Sequence, residues 1–442
     1  MTRYLRVFLF SIVFIVGALE TAQARIYVLI DQPSEKRFPI AVTTWSGASG
    51  KDAQVAQDLE RLLVRNLQIA GYFDILPPSS YLSDPTASAF SESEINFNLW
   101  QTIGAQALIK GNVAIDGKNV TVQWYLYDTQ LGKQLVGKEY TFRRDDGYKA
   151  VHKFANEVVL ALTGSRGIFE TRIAAACGPT NARQIVTVYP DGTGKEQWTK
   201  TKGNNMSPDW SADNGKLVYT SYTKVRKHYY RPDLHLLDLG SGKSKPIFGR
   251  GSLSITPSFS PAGAIAFTNT VSGDSEIYTI DLNGNLLGRL TNSWTIDVSP
   301  TWSPDGSQLI FSSERAGRLH LFKMAQSGGN VERLTFVGYQ NDQADWAPTG
   351  DKIAFTSRDK GRFDIFLMNP DGSKIQRLTN QEGDNENPSW SPDGRYLTFS
   401  STRTGTSQMY IMGWDGANPQ LVTTDTCVNP DWSGWEASAA AQ

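Results

Sequence analysis

One phrase written six times constrains this chain more than any other feature. A proline or alanine, one variable residue and a large aromatic recur as Pro208-Asp209-Trp210, Pro257-Ser258-Phe259, Pro300-Thr301-Trp302, Ala344-Asp345-Trp346, Pro388-Ser389-Trp390 and Pro430-Asp431-Trp432. The aromatics are spaced 49, 43, 44, 44 and 42 residues apart. Self-similarity at roughly 40 to 45 residues is the signature of a β-propeller, in which each repeat is one four-stranded blade.

The copy at 388–401, PSWSPDGRYLTFSS, shows how a repeat is built. Proline cannot donate to a strand ladder and fits the start of an inner strand, while tryptophan supplies apolar surface between sheets. Ser391-Pro392-Asp393-Gly394 is a turn: proline presets φ, aspartate bonds local backbone, and glycine accepts the left-handed conformation. Second and third strands follow at 395–401 and 407–416, and outer strands end in Arg-Leu-Thr at 289–291, 333–335 and 377–379. The last aromatic, Trp432, has about ten residues after it, too few for three more strands. Three strands without a first one occur instead at 171–177, 182–192 and 195–199. The ring therefore closes with an inner strand at 428–433 from the C-terminus and three strands from before residue 200, which removes open sheet edges.

The two cysteines fall on that seam. By the register of the Trp390 repeat, Cys177 takes the place of Ser400 and Cys427 that of Asn385, one residue off register. A Cys177–Cys427 disulfide is expected, two separate buried thiols being the alternative. Closing a loop of this length stabilises by about 5 kcal/mol.

The first 24 residues differ in kind. Arg3 and Arg6 precede the apolar run 7–19, and Ala22-Gln23-Ala24 has the form of a signal-peptidase site. This reads as a secretory signal with a mature chain from Arg25, because a retained anchor needs about 20 apolar residues. The oxidising destination suits a disulfide. Residues 25–165 lack the repeat. RIYVLI and FPIAVTTW read as strands, and 52–71 places Val55, Leu59, Leu62, Leu63 and Leu67 on one helical face. ALIKGNVAI and NVTVQWYLYD form a hairpin across Asp116-Gly117, a further strand follows in KQLVGKEYTF, and a last helix ends at Gly164. The expected architecture is a small α+β amino-terminal domain with a mixed sheet over 25–165, a linker SRGIFE, an all-β six-bladed propeller over 166–435, and a tail at 436–442.

No catalytic constellation emerges. WSGASGKD at 45–52 lacks the first glycine and the terminal Ser or Thr of a phosphate loop. His152, His228, His235 and His320 show no ligand spacing and read as packing or surface residues. No G-x-S-x-G occurs, and the separate catalytic domain that accompanies propellers in prolyl-oligopeptidase-like hydrolases is missing. A net charge of −1 without a long basic run gives no footprint for nucleic acid. What remains is the set of segments just before the repeated aromatics, such as KGNNMSP, SLSITP, WTIDVSP, VGYQNDQ and EGDNENP. Six-fold repetition brings them to one channel mouth. There Asp297, Asn341, Asp342, Asp384, Asn385 and Glu386 offer oxygens for a hard cation such as Ca²⁺, a solvated polar rim being the plainer reading.

A signal sequence, a small α+β domain and six repeats carrying P-x-[WF]-S-P-x-G together resemble the TolB family, periplasmic proteins of the Tol-Pal system of Gram-negative envelopes. The resemblance implies a non-enzymatic adaptor without a cofactor. It implies binding of the lipoprotein Pal at the channel mouth, mapped onto Asn204, Asn205, Ser254, Thr256, Asp297, Val298, Ser299, Asn341, Asp342, Asp384, Asn385 and Glu386. It implies binding of TolA by the mature N-terminus, Arg25, Ile26, Tyr27, Val28, Leu29, Ile30 and Asp31, in support of outer-membrane integrity and division. The alternative is a propeller lectin or small-ligand sensor with Trp294 and Tyr339 stacking on sugar.

Overall fold

The computed structural model describes residues 37–47, 50–82, 89–227, 229–359, 361–380 and 382–435. The expected signal segment, the Arg25–Asp31 strand, His228 and the tail 436–442 lie outside the described residues.

The first domain runs β1 (Phe38–Val42), α1 (Ala53–Ala70), β2 (Phe73–Ile75), α2 (Phe97–Thr102), β3 (Ala107–Asp116), β4 (Asn119–Asp128), β5 (Lys133–Arg143) and α3 (Gly147–Thr163). Its sheet order is β2-β1-β3-β4-β5, parallel across the first three strands and antiparallel across the rest. Strand alternation sorts the core. Ile40, Val42 and Ile109 join Leu59, Leu63 and Leu67 of α1 and Phe154 and Val158 of α3 on one face. Ala41, Leu108 and Tyr127 meet Trp100 of α2 on the other. Val55 and Leu62, placed on the same helical stripe by the sequence, are only half-buried at its margin. The short elements β2 and α2 lack a full period of pattern and escaped the sequence reading.

The connection after α3 is not a loose linker. Ile168 and Phe169 are buried, and Phe169 N–H donates to Asn156 Oδ1 at 3.1 Å. The two domains share one core, in which Ala70 and Phe73 lie with Tyr396, Ile411, Val422 and Trp432. Tyr396 Oη donates to the Ala70 carbonyl, Asn418 Nδ2 to Gln68 and Arg65 Nη2 to Leu421, each at 2.8 Å.

Six four-stranded sheets form the ring. Blade one comprises Asn205–Trp210, Lys216–Arg226, Tyr229–Asp238 and Lys243–Phe248. The inner strands of blades two to five are Ser254–Phe259, Asp297–Trp302, Gln340–Trp346 and Asn385–Trp390. Blade six takes its inner strand, Cys427–Trp432, from the C-terminus and continues as Ile173–Cys177, Gln184–Val188 and Glu196–Gln197. A Cys177–Cys427 disulfide locks this seam. The expected register needs correction. Cys177 pairs directly with Cys427, as Ser401 pairs with Asn385, so the cysteines are in register and Cys177 takes the place of Ser401 rather than Ser400.

The turn chemistry follows the sequence. In blade five Ser391 Oγ donates to Asp393 Oδ1, and Gly394 sits at φ 68°. Blade one puts Asn214 at φ 55° in the same position, a residue that tolerates the left-handed region better than most. The prolines are placed differently from expectation. Pro388 is the fourth residue of its strand, inside a bulge between Glu386 and Ser389, rather than its first. The same register shift interrupts the inner strand of every blade. Proline is tolerated there because the bulged residue owes no N–H to the ladder.

Candidate functional site

The bulges build the channel. Immediately before each proline, or Ala344, a residue with a side chain holds the left-handed conformation: Ser207, Thr256, Ser299, Gln343, Asn387 and Asn429, with φ from 47° to 55°. These six, the six residues after them and the six variable residues beyond line a chamber of about 150 Å³ on the pseudo-six-fold axis. A second chamber of about 410 Å³ opens on the other side of the same variable residues and is bounded by the repeated aromatics. The variable positions, Asp209, Ser258, Thr301, Asp345, Ser389 and Asp431, therefore form the waist of the channel.

The waist also joins blade to blade. Asp209 Oδ1 accepts the Phe259 N–H at 2.7 Å, Asp345 Oδ2 that of Trp390 at 2.9 Å, and Asp431 Oδ2 that of Trp210 at 2.8 Å. The Trp210 and Trp390 indoles return bonds to the carbonyls of Asp431 and Asp345. Burial pushes Asp345 up to about 6. Burial and the nearby Asp345 push Asp431 up to about 7, and burial with Asp431 raises Asp209. Three carboxylates are thus enclosed with neutral donors and with one another, a costly arrangement that favours the protonated form. The sequence signal of this ring is the middle residue of the repeated phrase, a position that carries no motif of its own.

Antiparallel strands carry both the segments entering each inner strand and the second-to-third hairpins to one face, the mouth above the 150 Å³ chamber. The amino-terminal domain packs on the opposite face, where the Asn418 turn and the Tyr396 end of blade five meet α1. The positions expected to face a partner divide into two sets. Asn205, Ser254, Asp297 and Asn385 each open an inner strand, Asn341 is the second residue of its own, and all five are buried. Their side chains are spent inside the blades: Asn205 accepts from Ser221, Ser254 from Asn269, and Asn385 donates to Asp364. Asn341 bonds His320 at 3.0 Å, and Asp297 pairs with Arg315 at 2.8 Å. These five lie in the strands behind the rim, not in loops, and shape the mouth rather than present themselves at it. Asn204, Thr256, Val298, Ser299, Asp342, Asp384 and Glu386 keep accessible surface. Burial raises Glu386, and the charges of Asp384 and Asp342 raise it further.

Two of the residues considered for a hard cation are already engaged by arginines. Asp297 already faces the Arg315 guanidinium, and Arg403 Nη2 donates to Asn385 at 3.2 Å. Among the described residues no three or more His, Cys, Asp or Glu side chains converge as a metal site.

The mouth also exposes large apolar side chains. Trp294 is 94% exposed, with Phe336 at 70%, Val337 at 62% and Tyr339 at 57%, all in the segments leading into blades three and four. Arg318 stacks on Tyr339 at 4.4 Å and Arg333 on Phe336 at 4.8 Å, which holds two of the rings in place. Of the remaining histidines, His235 and His320 are packed in blades, and His152 lies buried at the domain joint, 2.7 Å from Asp191.

The sequence matches the TolB beta propeller domain over 159–368 and 345–438, and the TolB amino-terminal domain over 26–135. The chain belongs to the TolB family. It is 35% identical over 271 residues to the Tol-Pal system protein TolB of Desulfosudis oleivorans, an alignment covering 61% of this chain and 60% of that one. It is 34% identical over 289 residues to the protein TolB homolog of Chlorobium chlorochromatii, covering 65% and 64%. The chain thus spans roughly three fifths to two thirds of the length of the curated relatives it matches. The crystal structure of TolB from Acinetobacter baumannii superposes with a TM-score of 0.76 at 25% identity, covering 93% of this chain and 99% of that one. Among the described residues no helix is long and apolar enough to cross a membrane.

Proposed function

We propose that this TolB-family chain is a non-enzymatic periplasmic adaptor of the Tol-Pal system. It docks the lipoprotein Pal on the channel mouth and TolA through the mature N-terminal residues Arg25–Asp31, in support of outer-membrane integrity and constriction during division. The observation that carries the reading is the combination of a small chamber with a large exposed rim. The chamber on the mouth side, about 150 Å³, is well below the ~300 Å³ of small-molecule pockets, and the chamber of about 410 Å³ opens beyond the waist, away from the mouth. Trp294, Phe336, Val337 and Tyr339 form the kind of exposed apolar patch that marks protein interfaces. The opposite face is taken by the amino-terminal domain, so a protein docked at the mouth leaves that domain accessible.

The test is titration of the purified mature chain with the soluble domain of Pal, followed by calorimetry. Saturable binding that Trp294→Ala weakens about tenfold or more supports the reading, as expected for a central aromatic; absence of binding sinks it. Deleting residues 25–36 should abolish binding to the TolA terminal domain and spare Pal. The exposed Trp294 indole also favours a second reading, a propeller lectin, which predicts quenching of its fluorescence by peptidoglycan fragments.

A further inference from the structure

Blade one departs from the template. In blade five the second and third strands stop pairing at Ser401 and Gln408, and the equivalent pair in blade one is Ser221 with Asp233. Blade one continues past it through Tyr222–Pro232, Thr223–Arg231, Lys224–Tyr230 and Arg226–Tyr229. Five further residues in a strand add about 16 Å. The result is a two-stranded arm standing on the mouth face.

The base of the arm is braced and its tip is bare. Arg231 Nε donates to Asp233 Oδ1 at 2.6 Å, and its Nη2 to Oδ2 at 3.0 Å. Thr223 Oγ1 donates to the same Oδ2 at 2.7 Å, and Tyr222 N–H to the Asn204 carbonyl at 2.8 Å. Beyond that bracing, Lys224, Arg226 and Lys227 are exposed and make no ion pair among the described residues, and Val225, Tyr229 and Tyr230 are 48%, 46% and 40% exposed. The segments flanking the arm add Lys202 and Arg250, both exposed. On this side of the mouth the blade's one carboxylate, Asp233, is already paired with Arg231. Asp213 and Asp238 lie at turns on the opposite face.

We propose that the blade-one arm is a second docking element for the protein seated on the mouth, and that it grips an acidic flank of that protein. The inference rests on the adaptor reading above. Tyrosine and arginine are the residues enriched in protein interface hot spots. The cross-strand pairs Lys224–Tyr230 and Arg226–Tyr229 mix cation and ring, whereas a membrane-seeking ribbon would separate apolar from basic faces. The arm is continuous with the mouth. Exposed rim charges act mainly on encounter rate and salt dependence.

The test compares the full mature chain with the triple variant Lys224→Glu, Arg226→Glu, Lys227→Glu and with the double variant Tyr229→Ala, Tyr230→Ala, using the lipid-free soluble domain of Pal at low and at physiological salt. The expected result is roughly tenfold weaker binding for the triple variant, carried by a slower association rate with a flattened salt dependence. The double variant should dissociate faster. Binding by wild type that neither variant alters overturns the arm proposal and leaves the adaptor reading standing. Wild type that fails to bind at all overturns the adaptor reading itself. If wild type binds vesicles of phosphatidylglycerol and phosphatidylcholine, and the triple variant loses only that binding, the arm is a membrane contact and the proposal is wrong.

Discussion

Neutralising Asp345 should stabilise the ring, and only above mildly acidic pH. The carboxyl is enclosed at the channel waist and pushed up to about 6 by burial, against an ordinary value of 3.8. A folded-state pKa above the unfolded one means that the folded chain holds its proton longer. The associated stability is complete below pH 3.8 and is lost as the pH climbs through 6. Two units correspond to about 3 kcal/mol, and contact with channel water reduces this, so about 1–3 kcal/mol is expected. Asp345→Asn keeps a carbonyl oxygen to accept the Trp390 N–H, now at 2.9 Å, and carries no charge at any pH. Urea unfolding followed by tryptophan fluorescence from pH 4 to pH 8 should show the two proteins nearly matched at the acid end. The variant should gain progressively up to about pH 7, and the gap should then stay constant. A gap that does not change with pH, or a variant less stable at pH 8, would refute the assignment of an enclosed, strained carboxylate.

Three further outcomes follow from the same contacts. Cys177→Ser with Cys427→Ser opens a closed loop of 250 residues at the ring's seam, and should cost about 4–5 kcal/mol in denaturant titration; an unchanged midpoint would mean that strand pairing alone closes the ring. His152→Ala leaves the buried Asp191 without its 2.7 Å partner, so about 2–4 kcal/mol should be lost, with faster hydrogen exchange in α3. Burial alone would raise Asp191, but the bonds from His152 and Thr193 outweigh it and hold it below its usual value. Its stabilising share is therefore present above pH 3.8 and is lost on further acidification, which an acid titration of α3 exchange would detect.

The six-bladed ring was legible because its signal is repetitive: a period near 44 residues, a turn of fixed chemistry and an aromatic in each copy. Closure by the C-terminus followed from counting strands at the two ends. Short elements did not register, since Phe73–Ile75 and Phe97–Thr102 are shorter than the patterns that reveal helices and strands. The prolines were misplaced within their strands because a bulge has no sequence period. The site suffered from the same blind spot. The bulge shifts side-chain direction within the inner strand, so polar residues such as Asn205, Asp297 and Asn385 point into the blades, and only tertiary pairing shows it. The exposed aromatics of the rim were half-seen, in Trp294 and Tyr339, because exposure is not a property of sequence.

The placement of charge explains why one repeated phrase can serve two ends. The repeated geometry of each copy, a left-handed residue followed by a bulge, turns its variable residue into the waist, and at Asp209, Asp345, Ser389 and Asp431 gives that side chain to the neighbouring blade's N–H. Substitutions at those four waist positions are therefore felt as ring stability, and partner choice is written elsewhere. The positions free to vary are the segments outside the bulge, which carry Trp294 and Tyr339, and the blade-one hairpin, which alone grew beyond the template by five residues. If that division is right, grafting blade five's hairpin turn, residues 401–408, in place of 221–233 should leave the melting temperature within a few degrees, because the removed pairs lie outside the shared core. Affinity for the docked partner should fall alongside it. A large loss of stability instead would mean that the arm is part of the ring's own construction, and the separation of scaffold from recognition would fail at the blade where it is most exposed.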